Sequence, residues 1–116
     1  SRFDLAFSCG GSPWFMEVKG VTLDMDGTAM FPDAPTERGI RHLEGLAQAV
    51  KDGYGAAALF VIQMKGVHAF SPHRERHPEF AAALKQAKEN GVHIWAYDCA
   101  VTDRSMKLDA PVPVIL

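Results

Sequence analysis

Ala56-Ala57-Ala58-Leu59-Phe60-Val61-Ile62-Gln63-Met64 is a run of strand length that is apolar at every position except Gln63. It lacks the alternation of a strand with one wet side, so it reads as a central strand buried on both faces. Helical patterns flank it. Upstream, Ile40, Leu43, Leu46, Ala47 and Val50 recur at helical spacing between Thr36 and Asp52, with Arg41, Glu44, Gln48 and Lys51 facing outward and Gly53 closing the segment. Downstream, Pro78 to Asn90 turns Phe80, Ala83, Leu84 and Ala87 inward and is followed by Gly91, after which Val92 to Val101 is another apolar strand. Strand, helix and strand in succession require a crossover and therefore parallel pairing.

The N-terminal third has a different pattern. Arg2 to Ser8 places Phe3, Leu5 and Phe7 on one face and Arg2, Asp4 and Ala6 on the other. After the turn-forming Gly10-Gly11-Ser12-Pro13, Trp14 to Lys19 reads as a second strand, and the two runs make a hairpin. Gly20 to Met30 continues as a strand or hairpin turning at Asp26-Gly27, Phe31 to Pro35 is a proline-punctuated loop, and His68 to His77 is a polar loop. The expected order is β-β-β-α-β-α-β, an α/β fold in which a mixed β-sheet is flanked by α-helices.

Composition narrows the class. A chain of 116 residues, 47% hydrophobic and 22% charged, is one domain that can bury a core without staples. Its net charge of −2 gives no bulk attraction for nucleic acid, so polyanion binding requires a local basic patch. Cys9 and Cys99 have no CxxC spacing, and there is no signal peptide and no apolar stretch long enough for a membrane span. A reduced, cytoplasmic protein with two buried free thiols is the expectation. The start at Ser1, at the edge of a strand, suggests a piece of a longer protein, and the sequence does not specify an oligomeric state.

If the first hairpin pairs Asp4 beside Glu17, strand alternation aims Glu17 and Lys19 to one side, and two carboxylates lie close enough to repel. A divalent cation between them relieves that repulsion. Mg²⁺, with Mn²⁺ as substitute, suits hard oxygen ligands and acidifies a water, while Lys19 orients the nucleophile or neutralises a phosphate. The competing reading is a solvated Glu17–Lys19 ion pair worth roughly 0 to 1 kcal/mol. Gln63 could orient a water or the lysine from the end of the apolar strand, or simply be a satisfied edge amide. Thr36-Glu37-Arg38-Gly39 opens a helix whose N-terminal N–H groups, with Arg38, suit a phosphate; capping and a loop ion pair would explain it equally. Lys65, His73, Arg74 and Arg76 could form a basic edge or a solvated one. The cluster His68, His73, Glu75 and His77 lacks metal-binding spacing.

Val21-Thr22-Leu23-Asp24-Met25-Asp26-Gly27-Thr28 resembles the first motif of haloacid-dehalogenase-like phosphatases, with Asp24 as nucleophile and Asp26 as general acid/base. The later motifs of that family do not follow: the next central strand ends in Gln63, and Asp98 and Asp103 are scattered. A type I′-like turn at Asp26-Gly27 explains the same residues.

A second resemblance covers essentially the whole chain. Glu17 to Leu23, Phe31 to Gly39, His42-Leu43, Ser1-Arg2-Phe3-Asp4, Phe70-Ser71-Pro72, Gly91-Val92 leading to Ala96-Tyr97, and Pro111-Val112-Pro113-Val114 closely resemble the sugar fermentation stimulation protein family. The resemblance implies a C-terminal, restriction-endonuclease-like PD-(D/E)xK domain, preceded in the family by a smaller OB-type β-barrel that this chain does not contain. It implies DNA as partner and a link to regulation of sugar metabolism. Asp4 would be the central metal-binding acid, Glu17 the second, Lys19 the catalytic lysine, and the Val18 carbonyl a further ligand. The expected function is DNA binding with an Mg²⁺-dependent phosphodiesterase site. The alternatives are a non-catalytic DNA-binding regulator and, less strongly, the phosphatase.

Overall fold

The computed structural model describes residues 3–116. Strands β1 (Leu5–Cys9), β2 (Ser12–Val21), β3 (Leu23–Met25) and β4 (Thr28–Phe31) precede helix α1 (Glu37–Lys51). They are followed by β5 (Gly55–Ile62), β6 (Ala69–Pro72), α2 (Pro78–Glu89), β7 (His93–Val101) and β8 (Met106–Pro111). The expected start of the first strand at Arg2 lies outside the described residues.

A five-stranded sheet runs β1-β2-β5-β7-β8, with the predicted apolar run at its centre. β2, β5 and β7 are parallel, and β1 and β8 add antiparallel edges, which makes the sheet mixed as expected. On one face of β5, Ala56, Ala58, Phe60 and Ile62 are buried with Leu43 and Leu46 of α1 and Phe80 and Leu84 of α2. The small alanines let the helices approach closely, and the three phenylalanines Phe60, Phe70 and Phe80 fill the space further along.

The expectation that β5 is buried on both faces needs correction. Leu59 and Val61 on its second face are only half-buried. Small residues and aromatic rings take the place of a second helix layer there. Trp14 lies across Gly55, where a Cβ would come within 2.2 Å of the indole. It also stacks with Phe7 at 6.0 Å and with Trp95 at 6.2 Å between ring centroids.

A second, three-stranded sheet, β3-β4-β6, lies beside this core. Its hairpin turns on Asp26 and Gly27, whose φ values of +54° and +89° are the left-handed pair of a type I′ turn. The stretch expected to be a polar loop, His68 to His77, contains β6, which pairs parallel with β4 and buries Phe70 against Phe60 at 4.4 Å. The histidines there are partly internal. His73 and His77 are buried, and His77 Nδ1 accepts from the Thr36 N–H at 3.2 Å. β8 carries no buried apolar stripe, so the sequence offered no periodic signal for it.

Thr36 starts α1 by a side-chain cap: its backbone is extended and its Oγ1 accepts from the Gly39 N–H at 2.9 Å. Thr36→Ala should lower stability by about 1 kcal/mol, read as a shift in the urea midpoint with unchanged m-value. Cys99 is buried, but Cys9 sits exposed on the edge strand β1, contrary to the expectation of two buried thiols.

Candidate functional site

The β1–β2 ladder pairs Leu5 with Met16, so one further step sets Asp4 opposite Glu17. Asp4 itself sits in a bend just before β1 rather than on a strand, and it is exposed. Its position is fixed by the Val18 N–H, which donates to Asp4 Oδ2 at 2.8 Å. That bond holds the Asp4 carboxyl below the ordinary carboxylate range. In a strand the N–H and C=O of one residue point to the same edge, so the Val18 carbonyl faces the Asp4 side. The β1 ladder begins only at Leu5, one residue after Asp4.

Glu17 and Lys19 share the face of β2 that looks toward α1. Glu17 is 1% exposed, an unusual position for a carboxylate. Neither of its oxygens has a hydrogen-bond partner among the described residues. Burial, and then the facing Asp4 carboxylate, push its pKa up to about 7. A buried carboxylate with free lone pairs beside a second carboxylate is chemically suited to a hard divalent cation. Among the described residues, no group of three or more His, Cys, Asp or Glu side chains is arranged to hold a metal. A cation here would therefore rest on Asp4, Glu17, the Val18 carbonyl and water, a ligand set that suits Mg²⁺.

Helix α1 contributes a residue that the sequence did not mark as functional. His42 Nδ1 lies 2.7 Å from Lys19 Nζ and 3.3 Å from Glu17 Oε2. One helical turn earlier, Arg38 brings its Nε to 3.4 Å from His42 Nε2. Burial, followed by the charges of Lys19 and Arg38, lowers the His42 pKa, and burial also lowers that of Lys19. The signal in the sequence was the Arg38-x-x-x-His42 spacing at the start of the helix after the Glu17-Val18-Lys19 strand.

Other candidates lie elsewhere. Gln63 follows β5, and its amide lies on Gly20, close enough to meet a Cβ placed there at 2.7 Å. Gly20 alternates with Lys19, so this amide is on the face away from Glu17 and Lys19 and is not brought into the cluster. Lys65 is ion-paired with Asp98 at 3.1 Å and with Asp109, which ties the end of β5 to β7 and β8. With His73 buried as well, the proposed edge of Lys65, His73, Arg74 and Arg76 is not one free basic patch. Asp24 Oδ1 accepts from the Gly27 N–H at 2.8 Å inside the β3–β4 turn. Asp24 and Asp26 thus sit on an antiparallel hairpin, not at the end of a central parallel strand as the phosphatase reading requires.

The fold and the cluster together define an α/β domain with a mixed sheet whose first hairpin gathers two carboxylates and a lysine. Residues 1–105 match the family model described as the sugar fermentation stimulation protein RE domain, and the chain belongs to the sugar fermentation stimulation protein family. A sugar fermentation stimulation protein homolog of Desulfitobacterium hafniense is 52% identical over 107 residues, covering 92% of this chain and 47% of the relative. One from Clostridium beijerinckii is 52% identical over 116 residues, covering 100% and 51%. The structure of Pyrococcus furiosus SfsA in complex with Ca²⁺ superposes with a TM-score of 0.92 at 31% identity, covering 100% of this chain and 51% of that one. The chain spans about half the length of the curated relatives it matches. Among the described residues, no helix is long and apolar enough to cross a membrane.

Proposed function

We propose that this chain carries the cation-dependent phosphodiesterase centre of a DNA-binding protein. The observation that carries the reading is Glu17: a buried carboxylate with no hydrogen-bond partner among the described residues, opposite Asp4 and beside Lys19. Asp4, Glu17 and the Val18 carbonyl would hold Mg²⁺, or Mn²⁺ in its place. When bound, the cation supplies Lewis-acid chemistry, polarising the phosphoryl group and acidifying a water. The relative from Pyrococcus furiosus was solved with Ca²⁺, also a hard, oxygen-seeking cation, which supports a divalent ion in this family.

The chain's own groups have separate tasks. Asp4, fixed by the Val18 N–H, presents a carboxylate at the solvent edge, and Glu17 presents one from the interior. Lys19 contributes positive charge to the developing phosphoryl charge. Arg38 is exposed on the first turn of α1 and can take a flanking phosphate as a bidentate partner. With a net charge of −2, attraction for DNA must come from such local cations. A reducing cytoplasm suits an exposed free thiol at Cys9.

The test uses the full-length protein and its Glu17→Ala and Lys19→Ala variants with DNA and Mg²⁺ or Mn²⁺, scoring cleavage and gel retardation together. Cleavage by the wild type that both variants lose supports the centre. Retardation without cleavage under either metal would instead mark a non-catalytic DNA-binding regulator. Asp24→Asn should leave cleavage within about twofold of wild type, because its carboxylate is engaged in the hairpin turn. Release of phosphate from a small ester that Asp24→Asn abolishes would contradict both DNA readings.

A further inference from the structure

Glu17 and Lys19 are two residues apart on one strand face, the ordinary geometry for an ion pair. None forms between them: the carboxylate oxygens have no hydrogen-bond partner among the described residues, and the ammonium is at His42. An ammonium has three donors and no acceptor, so at 2.7 Å from Lys19 Nζ the His42 Nδ1 must be the acceptor. In a neutral imidazole the proton is then on Nε2. One consequence follows from that tautomer. Nδ1 has no hydrogen to give to Glu17 Oε2, although that oxygen lies 3.3 Å away. Arg38 Nε is a second donor aimed at the ring, at Nε2 over 3.4 Å; a neutral imidazole accepts at only one nitrogen, and the shorter contact, from Lys19 at 2.7 Å, sets the tautomer.

We propose that His42 is a positioning residue: by accepting from Lys19 it keeps the ammonium off Glu17 and leaves that carboxylate open to a divalent cation. This rests on the reading of Asp4 and Glu17 as cation ligands. Without the imidazole, a flexible lysine stem on the same face would reach the buried carboxylate and neutralise it, and a cation would then have to displace an ion pair. The helix contributes to this arrangement through placement. α1 packs over β2 and β5, and His42, next to the buried Leu43, is the α1 residue that reaches the Glu17–Lys19 edge.

The side-chain ¹³Cε signal of Lys19, read by NMR in the metal-free, full-length protein, tests the positioning directly. In the wild-type background Glu17→Gln should barely move it. In a His42→Ala background Glu17→Gln should shift it clearly, because there the lysine pairs with Glu17. His42→Asn, whose side-chain oxygen stands near the place of Nδ1, should behave as wild type. Titration with Mn²⁺ supplies the second measurement: His42→Ala should weaken binding roughly 10- to 100-fold, and this loss should vanish in a Lys19→Met background. A Lys19 signal insensitive to Glu17→Gln in both backgrounds would overturn the proposal. So would an affinity loss that persists without Lys19. Absence of Mn²⁺ binding in the wild type would count against the cation reading alone, and the Lys19 signal would still decide the role of His42.

Discussion

Glu17→Ala is expected to reduce cation-dependent DNA cleavage by about 10²- to 10³-fold or more, the scale seen when one preorganised electrostatic group is removed from an active centre. The effect should fall on kcat rather than on DNA retention, because Glu17 is buried behind the surface that DNA would touch. Lys19→Ala should lose cleavage on a similar scale and some retention as well, since it removes a cation from that surface. The two losses should not add, because both residues serve one charge arrangement. Fluorescently labelled duplex DNA under single-turnover conditions separates the two quantities. Equal cleavage by wild type and Glu17→Ala would contradict the assignment.

The second large effect is on stability, and its sign is opposite to the usual cost of altering a buried residue. Glu17 has a folded-state pKa of about 7 against an ordinary value of 4.5, so between those limits the folded chain binds more protons than the unfolded one. Stability contributed by the protonated carboxyl is complete below about pH 4.5 and is lost as pH rises through 7. The difference amounts to as much as about 3 kcal/mol. Glu17→Gln, which stays neutral, should therefore be more stable than wild type at pH 8, with the gain fading toward pH 5. Urea denaturation at the two pH values measures this. Millimolar Mg²⁺ should narrow the gap at pH 8 by stabilising only the wild type. A variant less stable than wild type at pH 8 would show that the carboxylate is satisfied in a way the structure does not contain.

Much of this centre could be read from the chain because strand geometry is local. Alternation along Trp14 to Lys19 put Glu17 and Lys19 on one face, and the Gly10-Gly11-Ser12-Pro13 turn set a hairpin that brings Asp4 opposite Glu17. The apolar run at Ala56 to Met64 marked the centre of the sheet, although Trp14 lying over Gly55 took the place of a second helix layer. His42 was not legible in the same way. Its role depends on how α1 crosses β2, a tertiary fact that helical spacing does not encode. Gln63, for which the sequence left site support and an edge amide equally open, lies past the end of β5 with its amide turned to the open backbone of Gly20. β6 was hidden because its four residues are followed by His73 and Arg74, so local polarity outweighed the buried Phe70. In the Asp24 to Thr28 stretch the turn chemistry of Asp26-Gly27 decided the structure, and the likeness to a phosphatase motif did not.

The most direct measurement is an anomalous difference map from crystals of the full-length protein soaked in Mn²⁺ near pH 8, where Glu17 is ionised. The expected result is one strong peak between the Asp4 and Glu17 carboxylates, within coordinating distance of the Val18 carbonyl, that is absent in Glu17→Gln crystals. Mn²⁺ bound only elsewhere, or no peak at this position while Glu17 remains buried and unpaired, would contradict a cation centre on these residues.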